Sequence, residues 1–219
     1  MEEMLPAGIE VGGRRAFAWA WDWPGWCRSG KAEAESLASL AEYLPRYRQT
    51  LAQAGVSLPG PTPPVFQVVE RISGSVSTDF GTPGSIGDRD RLPLSLEEAQ
   101  RQVGLLDAGW RRFEEVAAGA SAELRKGPRG GGRDRDQVVA HVRGADFAYA
   151  SRVGIRIREQ TQDLAVVEQL RTAIHQLVLH PDSYQQAAKG WPLAYFLRRA
   201  LWHVLDHLWE IEDKRSTTV

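Results

Sequence analysis

The stretch that most constrains this chain is Trp191–Lys214, WPLAYFLRRALWHVLDHLWEIEDK. Phe196, Leu197, Ala200, Leu201, Val204, Leu208 and Ile211 recur at helical spacing, and Pro192 suits a first helical turn. His203 and His207, four residues apart, project from one side of that helix, close enough to hold a single metal ion. They continue the line Phe196–Ala200–His203–His207–Ile211, so they face a core, where imidazole nitrogens need partners. A metal is one such partner, and a third ligand would then come from another helix. His141 in DQVVAHVRGADFAYA is the candidate, because Val138, Val142, Ala145 and Tyr149 define a similar inward face.

Ahead of this helix, the second half reads as three more. Ser95 and Glu98 form a capping-box pattern that opens a helix from Leu96 to about Ala118. Another runs from about Asp136 to Arg152 after the loop GPRGGGRDRD, and a third over Leu164–Leu179, ending before Pro181. Four such helices predict a bundle, whose interior is a common place for metal sites.

The first half has a different period. Gly8–Val11 and Arg15–Trp23 predict strands joined at Gly12-Gly13, with Phe17, Trp19, Trp21 and Trp23 on one face and Ala16, Ala18 and Ala20 on the other. The three tryptophans are expected to be buried. Trp26–Arg28 reads as a short strand. Lys31–Ala54 reads as one helix, bent at Pro45, with Leu37, Leu40, Leu44, Tyr47 and Leu51 buried. Val65–Ile72 is a strand, and Ser75–Phe80 a further short one. The Gly-, Ser-, Asp- and Pro-rich residues 73–94 read as a linker between a domain at 1–72 and the bundle at 95–219. The fold class expected is α+β.

Composition narrows the partners. With 27 basic and 28 acidic residues the net charge is −1, so no long-range field draws the chain to nucleic acid or membrane. One cysteine precludes an internal disulfide and points to a reducing compartment. The acidic start, MEEMLPAG, and the lack of a long apolar run predict a cytoplasmic protein.

The strand AFAWAWDWPGWCRSG, the helix ESLASLAEYLPRY and the following GVSLPGP resemble HicB-like domains, a small α/β fold of many antitoxin-type proteins. No basic helical DNA-binding segment accompanies them. VVAHVRGADFAY with His141, and LRRALWHVLDHLWEIE with His203 and His207, resemble the DinB superfamily of metal-binding four-helix bundles. That resemblance implies a divalent metal, nickel or zinc, held by the three histidines. It also implies chemistry on a small-molecule substrate, by hydrolysis or by transfer from a low-molecular-weight thiol cosubstrate. Two other readings follow from the same residues: a non-catalytic, metal-stabilised binding or stress-response module, and an antitoxin-like regulator.

The remaining candidates are secondary. Asp146 and Glu210 are positioned to assist the site, whereas Asp206 points about 100° away from His207 around the helix. His175 and His180 are left outside it. Cys27 is either a thiol reagent or a small buried residue. Arg152, Arg156 and Arg158 form a solvated helix end or, if they ring a pocket mouth, attract an anionic cofactor. Trp202, Leu208 and Trp209 exceed the apolar surface one helix can hide within a bundle, which predicts a homodimer.

Overall fold

A computed structural model describes residues 4–58, 60–127, 131–180 and 190–215. The architecture is α+β: a four-stranded sheet in the N-terminal part, then helices. The chain forms two compact units, Met1–Leu92 and Pro93–Val219.

In the first unit, β1 (Met4–Val11), β2 (Ala16–Ala20), β3 (Cys27–Gly30) and β4 (Val65–Ser73) make a sheet of order β3-β2-β1-β4. β1 pairs antiparallel with β2 across the Gly12-Gly13 turn and parallel with β4. The parallel pairing needs a crossover, supplied by α1 (Glu33–Glu42) and α2 (Leu44–Gln53). The expected single helix is therefore two. It breaks at Tyr43, and Pro45, which cannot donate to the turn before it, sits in the first turn of α2. Leu40, Leu44, Tyr47 and Leu51 are buried as expected, while Leu37 is half-buried and Ser36 lies inward in its place. A Cβ on Gly30 would lie 2.5 Å from the Ser36 amide, so only glycine lets β3 approach α1 this closely.

β2 is buried on both faces. Its alanine face includes Ala16, which pairs with Gly30 and so looks toward α1. On the aromatic face, Trp19 lies over Gly8, where a Cβ would meet the indole at 2.4 Å. The strand ends at Ala20, before Trp21 and Trp23, because a turn begins at Trp21. Those two tryptophans are half-buried, Trp19 is 1% exposed, and Trp26 is fully buried on Tyr47, its indole N–H donating to the Leu40 carbonyl at 2.8 Å.

Residues 74–92, read as a linker, belong to the first unit. Glu10, on the Phe17 row of the sheet, is wholly buried. Its carboxylate accepts from the Thr78 hydroxyl at 2.5 Å and from the amides of Gly84 and Ser85 at 3.1 and 3.0 Å. That one acid ties the segment to the sheet, since a buried carboxylate without donors would be too costly to keep. Ser75–Phe80 is not a strand. Ser75 caps the single-turn helix α3 (Val76–Asp79), with Thr78 reaching back to its amide.

The second unit contains α4 (Leu96–Ala118), α5 (Arg135–Arg152), α6 (Leu164–Val178) and α7 (Leu193–Lys214). Ser95 accepts from the Glu98 amide as expected, but the Glu98 side chain turns away to Arg101 and Gln102. α7 packs against both α4 and α5, and α6 contacts the same two helices. Trp110 meets Asp146, and Glu114 meets Arg143, so α4 and α5 run antiparallel. Asp107 meets His175 while Arg171 meets Glu114, so α6 is antiparallel to α4 and parallel to α5. Two parallel neighbours need a return path. Residues 153–163 supply it beside α5, where the Thr161 carbonyl accepts from Arg143 and Glu159 fills the space left by Gly144.

α7 is the central helix. Every residue from Tyr195 to Leu205 is buried, as a helix packed on all sides requires. Gly109 on α4 makes room for Leu201, whose Cδ1 would lie 2.4 Å from a Cβ there. Trp202, Leu208 and Trp209 are 4%, 0% and 1% exposed, so the fold of the single chain already covers all three. No helix among the described residues is long and apolar enough to cross a membrane.

Candidate metal centre

α5 and α7 bring His141, His203 and His207 together, with one candidate ligand atom from each lying within 4.8 Å of the others. Their ring centroids are 5.0 Å (141–203), 4.8 Å (141–207) and 4.6 Å (203–207) apart. Nε2 of His203 lies 3.2 Å from Nε2 of His141. Two nitrogens bound to one ion at 2.0–2.1 Å in tetrahedral geometry lie about 3.3 Å apart, so the spacing of this pair fits a shared ion. All three donors are imidazole nitrogens, a set suited to zinc or nickel.

Burial favours the neutral form of His203 and His141. His203 is 6% exposed. Desolvation first, then the positive potential of His207, His141 and the arginines Arg199 and Arg133, holds its pKa well below 6.5. Desolvation, then His207 and Arg133, bring His141 down to about 4 against the opposing charge of Glu210. Neutral imidazoles are what a metal needs, because only the unprotonated ring has a lone pair to offer.

Glu210 completes the arrangement. It accepts at 2.6 Å from Nδ1 of His207, one turn earlier on α7, which leaves Nε2 of that ring as the coordinating atom. Lys214 reaches its other oxygen at 2.5 Å. The His207 hydrogen bond, ahead of Lys214, holds the Glu210 carboxyl at about 2, so it is anionic at neutral pH. Among the described residues no fourth His, Cys, Asp or Glu joins the cluster.

The other candidates lie elsewhere. Asp146 accepts from the Trp110 indole at 3.0 Å, away from the imidazoles, within a polar group containing Arg143, Arg171 and Glu114. His175 pairs with Asp107 at 2.7 Å across α6 and α4, and His180 is exposed beyond the end of α6. Cys27 is buried in β3. Arg152, Arg156 and Arg158 are exposed. Two further residues border the histidines. Tyr149 lies with its ring 5.6 Å from that of His203, and Arg199 sits one turn before His203 on α7. Tyr149 belongs to the inward face read from the sequence. Arg199 gave only a positional signal, four residues from His203, within a run whose Leu and Ala mark it as core.

Asp146 offers a pH test of the polar interior. Burial raises its pKa from 3.8 to about 7, opposed mainly by Arg171 and the Trp110 hydrogen bond. A folded-state value above the unfolded one means stability is lost as pH rises from about 4 through 7. Asp146→Asn keeps an acceptor for Trp110 and removes the charge. Between pH 4 and 8 its stability relative to wild type should rise by a few kcal/mol, at most ~4. Urea unfolding of both proteins across that range checks this, and parallel pH curves would contradict it.

An α+β chain whose helices gather three imidazoles, one braced by a carboxylate, defines a candidate metal-binding protein. No protein-family model, curated protein or solved structure matches the chain.

Proposed function

We propose that His141, His203 and His207 hold one divalent metal ion, zinc or nickel, and that the chain is a metal-dependent enzyme acting on a small molecule by thiol transfer or hydrolysis. The second unit would then be a DinB-like bundle and the first a HicB-like domain. The observation that carries the reading is the meeting of three imidazoles whose ligand atoms lie within 4.8 Å of one another, with Glu210 orienting one of them. A closed structural site uses four protein ligands. A site with three leaves positions for exchangeable groups, which favours a reactive centre over a purely stabilising one. An ion there would supply Lewis acidity, acidifying a water or holding a thiol as thiolate. The chain's own residues set the conditions: burial keeps His203 and His141 unprotonated, Glu210 fixes the tautomer of His207, and Lys214 holds Glu210 in place.

Metal analysis of protein purified without a histidine tag tests the proposal. The expected result is close to one nickel or zinc per chain, unaffected by His180→Ala. A protein that takes up neither metal, even after refolding with excess ion, would overturn it.

A further inference from the structure

Arg199 is 7% exposed, on the turn of α7 that precedes His203. Its guanidinium carbon lies 4.5 Å from the Trp202 ring centre and 5.3 Å from that of Tyr149. Nη1 is buried and has no hydrogen-bond partner among the described residues. Elsewhere in the same unit, partly buried arginines reach carboxylates: Arg101 to Glu98, Arg112 to Glu212, Arg143 to Glu114, and Arg171 to Glu114 and Glu168. No described carboxylate pairs with Arg199.

A buried cation with a donor to spare is costly unless something else neutralises it. Two aromatic faces soften that cost by cation–π attraction but leave Nη1 without an acceptor. Tyr149 adds a second donor. Its phenol bonds the guanidinium, and burial raises its pKa above the ordinary 10, so it keeps its proton. The carboxylate nearest the histidines, Glu210, is already held by His207 and Lys214. With an ion bound, the histidine cluster and Arg199 together would therefore carry more positive charge than Glu210 balances.

We infer that Arg199 and the Tyr149 hydroxyl form an anion subsite beside the three histidines, and that the substrate carries a carboxylate there. A planar monoanion matches a guanidinium edge plus one hydroxyl, whereas a phosphate dianion calls for more donors than these. The inference rests on the proposed metal reading for what the other end of the substrate meets, but the subsite itself belongs to the protein alone.

The test compares mercaptoacetate with 2-mercaptoethanol, thiols of similar size of which only the first bears a carboxylate. In cobalt-loaded protein, sulfur-to-cobalt absorption reports binding. Wild type should prefer mercaptoacetate by about 10–100-fold, the value of a hydrogen-bonded charged pair. Arg199→Met should abolish the preference while leaving 2-mercaptoethanol binding in place, and Arg199→Lys should restore part of it. A wild-type protein that binds both thiols equally would overturn the inference, whatever the variants do. A second arm needs no metal: at fixed ionic strength, mercaptoacetate should raise the melting temperature of the metal-free wild type and not of Arg199→Met. If cobalt is not taken up, the three-histidine reading fails, and this arm still decides the subsite, with equal responses of the two proteins counting against it.

Discussion

Replacing His203 with alanine should weaken divalent-metal binding by on the order of 100-fold or more, because a ligand lost outright costs at least as much as the 10–100-fold typical of a supporting residue. His203 is the most buried of the three and lies 3.2 Å from His141 across the helix interface, so no neighbouring side chain can replace it without moving α7. Melting temperature gives an independent readout. An ion at 100 times its Kd stabilises the folded state by about 2.7 kcal/mol, and that increment should largely vanish in His203→Ala. An unchanged metal-induced shift in the variant would mean the ion binds elsewhere.

Glu210→Gln should lower metal affinity by about 10–100-fold without abolishing binding. The amide keeps an acceptor for Nδ1 of His207 but loses the charge that strengthens that bond and holds Lys214. The effect should fade at low pH, where protonation of the imidazoles governs uptake. His141 has a folded pKa of about 4 against 6.5 unfolded. The unfolded chain therefore binds more protons between those values, and the metal-free fold loses stability as pH falls from 6.5 toward 4. Asp146 acts in the opposite sense over an overlapping range, so the two contributions separate only in variants. Isothermal titration of wild type and Glu210→Gln with zinc at neutral pH measures the difference. Equal affinities would remove Glu210 from the site.

The histidine cluster was legible because helical geometry is local. A four-residue spacing fixes His203 and His207 on one face, and apolar neighbours show that the face turns inward. The same rule placed His141 on an inward face of α5. What it does not reveal is which inward faces meet, or that residues 153–163 return along α5 so that α5 and α6 run parallel. Arg199 stayed hidden because apolar periodicity carries no sign for a buried charge held between rings. The polar group of Glu114, Arg143, Asp146 and Arg171, of which Arg143 and Asp146 are buried, escaped for the same reason.

In the first unit, alternation located β2 and its two faces, since period two is equally local. The strand's end was misplaced because Trp21 and Trp23 continue the alternation through a turn. Residues 74–92 read as a linker because glycine, serine and proline mark irregular backbone, which they form. Irregular is not detached: one of the contacts that bind them to the sheet comes from Glu10, more than sixty residues earlier. No local pattern contains that pairing.

X-ray absorption at the metal edge of nickel- or zinc-loaded protein tests the central claim most directly. The account predicts imidazole scattering from three rings, with metal–nitrogen distances of about 2.0–2.1 Å for zinc, and loss of one ring's contribution in His141→Ala. A first sphere of oxygen scatterers without imidazole, or a spectrum unchanged by that substitution, would contradict it.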